Sequence, residues 1–239
     1  MVRILARTSL LLAVMLGLAA PASAQVVQNF HFGIGGFVPT GFDGRVSGDV
    51  LVSDLTNVNP QLFRIGDFKS GQVLGEWNVA FGHHIEIGAG VGYYKRTVPS
   101  IYADLINDNG QEIEQRLGLR IIPATFLVRF LPFGKEWQVQ PYVGVGASAL
   151  AFRYTESGEF VDGTDASIFS ARYVATGTAF GPVVVGGVRM PIRGDIYAVT
   201  LEVRHQFGSG KTGGIDKGFL NDKIDLGGTN VTFGFLVRF

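Results

Sequence analysis

The chain has 239 residues, with 20 Lys and Arg balanced by 20 Asp and Glu. A net charge of zero gives no bulk electrostatic case for nucleic acid as a partner. The absence of Cys excludes disulfides, thiol catalysis and thiolate metal sites. Gly is abundant, at 34 residues, and no stretch beyond the N-terminus approaches the roughly 18 continuous apolar residues of a membrane helix. With many aromatics besides, this composition favours β structure in a single domain.

Residues 1–24 read as a signal peptide. Arg3 and Arg7 precede an apolar run from Leu10 to Ala20, and Ala22-Ser23-Ala24 supplies a small-residue cleavage site. The run is short for a span of about 20 residues, so cleavage after Ala24 is expected, leaving a domain at 25–239. The first strand is predicted at about 28–39, with Phe30, Phe32, Ile34, Gly36 and Val38 on one face and Asn29, His31, Gly33 and Gly35 on the other. The polar stretch 40–70, rich in turn formers, is expected to be a long loop. Strands two (71–82) and three (85–98) meet at a tight turn, Gly82-His83-His84, which sets Phe81 opposite Ile85. Val73, Trp77 and Val79 share a face with Ile87, Val91 and Tyr93; Gln72, Glu76 and Asn78 oppose them with Glu86, Gly88 and Gly90.

A second long loop is expected from Pro99 to about Arg116. Strand four (117–132) sets Ile122, Ala124, Phe126, Val128 and Phe130 against Ile121, Thr125 and Arg129, with Pro123 as a break or bulge. Strand five (139–154) follows a short turn, and Pro141 poses the same difficulty. A third long loop is expected at 155–177. Strand six (178–192) carries Val184, Val188 and Met190 against Val183, Val185 and Arg189; a short turn at Arg193-Gly194-Asp195 leads to strand seven (197–208). A fourth polar loop (209–225) precedes the last strand, whose Val231, Phe233, Phe235, Val237 and Phe239 alternate with Thr232, Gly234, Leu236 and Arg238.

That ending resembles the C-terminal strand of bacterial outer-membrane β-barrels, whose terminal Phe is read by the assembly machinery. The predicted connections alternate long and short, as in such barrels. The expected fold is therefore all-β: an eight-stranded antiparallel up-and-down transmembrane barrel with long extracellular loops and short periplasmic turns. One face carries almost no charge; the other holds Glu76, Glu86, Glu202, Arg129, Arg189, Arg204 and Arg238. An Arg facing lipid near the midplane costs roughly 2–4 kcal/mol, so the charged face points inward, where these acids and bases can pair. Inward glycines (Gly88, Gly90, Gly92, Gly144, Gly146) make room for long side chains. Two aromatic girdles are expected: Phe30, Phe81, Phe130, Trp137, Tyr197 and Phe239 on the periplasmic side, and Tyr93, Phe152, Phe180 and Phe207 toward the loops. Over the whole mature chain, the architecture is similar to the OmpA/OmpX/OmpW-like group of small outer-membrane barrels. No peptidoglycan-binding domain is expected after Phe239, so no wall-tethering role is implied. A soluble lipocalin-like barrel, apolar inside and charged outside, is the alternative fold.

No catalytic, cofactor or metal site is expected. Arg193-Gly194-Asp195 matches an integrin-binding tripeptide but reads as a turn. Gly208-Ser209-Gly210-Lys211-Thr212 lacks the first Gly of a phosphate loop, because His205 occupies that place. His83 and His84 read as a turn, and the acidic residues Asp104, Asp108, Glu112, Glu114, Asp216, Asp222 and Asp225 as solvated loops. His205-Gln206-Phe207 lacks the His-x-Ser pattern of barrel deacylases. The inward charges form a plug or line a narrow pore. The expected role is structural or surface interaction in the bacterial outer membrane, without catalysis. The alternatives are a narrow channel for small apolar molecules, motivated by Leu150, Ile168, Phe169 and Phe219, and a lipid-modifying enzyme. Expected partners are outer-membrane lipid, the barrel-assembly machinery (reading Phe239), periplasmic chaperones, and an extracellular ligand at the loops.

Overall fold

A computed structural model describes residues 27–163, 165–192 and 196–239. The signal-peptide segment and the Arg193-Gly194-Asp195 turn therefore lie outside the described residues. Eight antiparallel strands form a closed ring: β1 (Val27–Pro39), β2 (Ser70–Phe81), β3 (Ile85–Ile106), β4 (Glu112–Phe130), β5 (Gln140–Val161), β6 (Ile168–Ile192), β7 (Tyr197–Gln206) and β8 (Gly228–Arg238). Each pairs with its chain neighbour, and β8 closes on β1 from Asn29↔Arg238 to Pro39↔Gly228. The seam ends in a backbone pair: Phe239 N donates to Gln28 O at 2.9 Å, and Gln28 N donates to Phe239 O at 3.2 Å.

Alternation holds on every strand. Ile34 is 68% exposed and Phe180 79%, whereas Glu86 on the opposite face is 0% exposed. A continuous outer wall of Phe32, Ile34, Val73, Val91, Phe126, Val145, Leu201 and Phe233 faces away from the barrel. An apolar surface that encircles the molecule is far larger than a soluble protein tolerates, and a closed ring leaves no open edge in lipid. The lipocalin-like alternative required the reverse orientation and is ruled out. The short turns are as expected. Phe81 pairs with Ile85, and Gly82 adopts the left-handed φ of +65° that this three-residue turn requires.

Three expectations change. First, the stretches 99–116 and 155–177 are strand, not loop. β3 and β4 are joined only at 107–111, and β5 and β6 only at 162–167. Above the lipid wall the alternation inverts: Ile113, Leu117, Leu119 and Ala175 point inward and are buried, whereas Glu114, Arg116 and Arg172 point outward. The segments look polar because their outer face meets water. Second, Phe152 is not in the girdle. It shares the inward parity of Leu150 and Tyr154, and all three are buried. The other girdle residues are exposed. Third, Pro123 makes no bulge. Pairing with β3 runs to Val91↔Ala124, lapses for two residues and resumes at Tyr94↔Ile121 in the same register. Pro141 sits one residue inside the start of β5, paired with Val188.

The long connections fold inward. The first (40–69) contains helix α1 (Val50–Thr56) and buries Val50, Leu51, Ile65 and Phe68. The last (207–227) contains a two-stranded ribbon, Ser209–Lys211 with Lys223–Asp225, and buries Phe219, Ile224 and Leu226. Together they meet Phe37, Tyr94, Leu150, Phe152 and Tyr154 in one apolar core at the barrel mouth. The wall assignment gives a direct test. Val145→Arg or Ile34→Arg, at mid-height of the apolar band, should each cost about 2–4 kcal/mol in folding equilibria measured in lipid vesicles. Thr97→Arg, above the band, should cost far less.

Candidate functional site

The lower and middle barrel is filled by the inward polar face. Neighbouring strands bring Glu76 (β2), Glu86 (β3), Arg129 (β4), Arg189 (β6) and Glu202 and Arg204 (β7) together, all buried. Three carboxylates meet three guanidinium groups. Arg189 grips Glu86 with two nitrogens, at 3.1 and 2.8 Å. Arg129 lies between Glu76, at 2.5 Å, and Glu202, at 3.2 Å. Arg204 bridges the same two acids, at 3.0 Å from Glu76 and 2.7 Å from Glu202. Arg238 lies on the same inward face at the periplasmic rim, half-buried.

Neutral side chains complete the network, and composition gave little sign of them. Asn29 donates to Glu86 at 2.9 Å, Asn78 donates to Asn29 at 2.9 Å, and Arg129 donates to Asn78 at 2.7 Å. Tyr142 donates to Glu202 at 2.8 Å, and the Arg129 guanidinium lies over its ring. Alternation had already set Asn29 and Asn78 on the inward face; what the sequence did not show is that they and Tyr142 bond to the charged set. The inward glycines supply the space as expected. A Cβ on Gly88 would run into the Asn78 carboxamide oxygen, and one on Gly144 would lie 3.0 Å from Arg129 Cγ. Above this layer the cavity between Gln72, Leu74, Pro123, Arg204 and Asn230 measures about 10 Å3. That is room for at most one water. The apolar core lies on top of it.

Asp49 and Asp225 lock the mouth. Asp49 accepts from Val52 N at 3.2 Å, capping α1, and pairs with Arg45 at 2.8 and 2.9 Å. It also accepts from Asp225 N at 2.6 Å, tying the first connection to the last. Asp225 accepts from Val46 N at 3.1 Å and Gly227 N at 2.7 Å. Asp225 is thus a buried structural residue, not the solvated loop acid expected. Asp54, on α1, and Glu156, on β5, are also buried. Burial pushes the Glu156 carboxyl up to about 7. Burial, and then the charges of Glu156 and Asp49, raises Asp54 well above its ordinary value.

The other candidates stay apart. His84 Nδ1 lies 2.8 Å from Leu131 O and His83 faces Glu136 at 3.5 Å, both at the β2–β3 turn. His205 Nδ1 is 2.9 Å from Thr229 Oγ1, and its ring packs on Phe207. Gly208-Ser209-Gly210-Lys211-Thr212 runs through the ribbon of the last connection, with no helix of phosphate-loop type after it.

No protein-family model matches the chain, and no curated protein matches it. Solved structures do. OprG from Pseudomonas aeruginosa aligns with a TM-score of 0.54 at 12% identity, covering 90% of this chain and 97% of OprG. The fold is that of a small outer-membrane β-barrel. Neisserial surface protein A and outer membrane protein W of E. coli also align, with TM-scores of 0.44 and 0.38 at 13% and 17% identity. They cover 89% and 88% of this chain and 97% of each of those chains. At 12% identity, the OprG alignment speaks to the fold alone.

Two predictions follow from the interior and the mouth. Arg189→Met strands the Glu86 charge in the barrel and should cost about 3–5 kcal/mol. Adding Glu86→Met should restore most of that loss in the same denaturant titration. For the mouth, the folded protein holds more protons on Asp54 and Glu156 than the unfolded chain does. Stability therefore falls as pH rises from about 4.5 through 7, where Glu156 ionises, and the raised Asp54 acts with the same sign. Protection of the Val50–Thr56 amides from hydrogen exchange, corrected for intrinsic rate, should decline over that window. It should stay flat in Asp54→Asn/Glu156→Gln.

Proposed function

We propose that this protein is a closed, non-catalytic outer-membrane barrel that works by surface contact. The observation that carries this reading is the contrast between its interior and its wall. Paired charges fill the barrel below, and apolar side chains pack its mouth above. The β3–β6 strands meanwhile continue beyond the lipid wall as ordered, water-facing sheet. The exposed ring of Phe239, at 69%, beside the closing seam is where the assembly machinery and periplasmic chaperones would read the chain. A ligand outside the cell would meet the β3–β4 and β5–β6 tips first.

Capture of small apolar molecules is a second reading, favoured by one feature. A pocket of about 390 Å3 opens at the mouth, lined by Val58, Tyr102, Phe160, Phe169, Tyr173 and Leu220, with Asp54 and Glu156 at its edge. Ile168 lies outside that lining, and Leu150 and Phe219 are packed in the core. Onward passage requires α1 to leave the barrel. In a planar bilayer the inserted protein should be electrically silent, and steady single-channel conductance would make transport the leading function. Shortening both protruding hairpins should abolish surface binding while leaving the barrel folded. Unchanged envelope and binding phenotypes in that variant would sink the surface-contact reading.

A further inference from the structure

The outer wall of β3–β6, above the lipid-facing band, collects positive charge. Lys95 pairs across strands with Arg120, and Arg120 with Arg153, so three cations stand directly opposite one another in one row. Four residues higher, Arg116 and Arg172 flank Ser157. Like charges directly opposite on adjacent strands are destabilising. None of these five forms a salt bridge or a side-chain hydrogen bond among the described residues. The chain as a whole is neutral, so this concentration is local.

Between the rows lies a floor of small residues. Thr155 Oγ1 folds over Gly118, donating to its carbonyl at 3.4 Å, and Thr97 pairs with Gly118 on the other side. The result is a groove of about 360 Å3 with cationic rims. Arg96, which donates to Asp67 O at 3.0 Å, also borders it. Glu114, two residues above Arg116, and Glu159, two above Ser157, bound the positive zone on top. Directly beneath it the wall turns apolar, with Tyr93, Ile122 and Ala151, and then Val91, Ala149 and the highly exposed Phe180. The order from bottom to top is acyl-compatible wall, cationic groove, acidic rim.

We propose that this groove binds the phosphorylated head group of an outer-leaflet lipid, with its acyl chains lying against the apolar wall below. The inference rests on the reading of the wall as embedded in lipid. It adds the head-group chemistry and the face that recognises it. Two rows of cations, four residues and so about 13 Å apart along the strands, match a ligand with phosphate groups at two separate points; charge-assisted bonds from arginine to phosphate are the strong kind.

The test refolds the full barrel into phosphatidylcholine vesicles containing either diphosphorylated lipid A or the same lipid stripped of phosphate. Lipid retained after detergent extraction is counted by mass spectrometry. The phosphorylated form should be enriched, and Arg120→Gln/Arg153→Gln should lower that enrichment about thirtyfold, the strength usual for two basic residues at an anionic surface. Lys211→Gln/Lys217→Gln, on the last connection, should leave it unchanged. Insertion is read separately from heat-dependent gel mobility. Insertion with equal retention of the two lipids, or with wild-type retention by the Arg120/Arg153 variant, overturns the head-group site alone. Displacement of the lipid by millimolar inorganic phosphate overturns the lipid as its occupant. Failure to insert overturns the embedded-wall reading and the proposal with it.

Discussion

Everything in this structure depends on one constraint: lipid offers no hydrogen-bonding partner to a peptide group. A sheet in lipid must therefore close, and the Asn29–Pro39 edge of β1 has only one edge left to meet, that of β8. Closure fixes the rest. Once the ring is shut, every second side chain points into a space that eight strands leave barely wide enough to fill. The outward set must be apolar. The inward set can be polar only where its charges are paired, and the chain pairs them as matched carboxylates and guanidinium groups cross-linked by Asn29, Asn78 and Tyr142.

The same logic explains the change of phase at the mouth. In the lipid-embedded height, water is absent outside, so polarity goes inward. Above it, water surrounds the wall, and the interior becomes the driest place available. The connections bearing α1 and Phe219 then behave as an ordinary soluble core enclosed by the continuing strands, held down by Asp49 and Asp225. The barrel is two proteins stacked end to end, one turned inside out relative to the other.

That inversion also decides what could be read from the sequence. Residues 28–39 and 226–239 announced strand, face and membrane together, because Phe32, Ile34, Phe233 and Phe235 alternate against small or polar residues without a break. The charged interior was legible for the same reason: Glu76, Glu86 and Arg129 lie out of phase with aromatic neighbours. The upper ends of β3–β6 were not legible as strand. Arg116 and Arg172 made their segments look like loops, although Ile113 and Ala175 within them point inward and are buried. Asp225 was unreadable in a different way. Nothing local separates it from the exposed Asp222; only the distant Asp49 and Val46 make it structural.

The pairing of β5 with β6 runs from Gln140↔Arg189 to Val161↔Ile168 without a shift. β6 has 25 residues, about 80 Å of strand at the usual rise, where some 9–11 residues suffice to cross the bilayer. β7, beside it, has 10. One side of the rim therefore rises far above the other as a stiff mast stepped in the membrane. A force applied at its tip is not absorbed by a slack tether. It passes down an unbroken ladder of peptide hydrogen bonds and arrives in the bilayer as torque, so that pulling on the tip tilts the whole barrel.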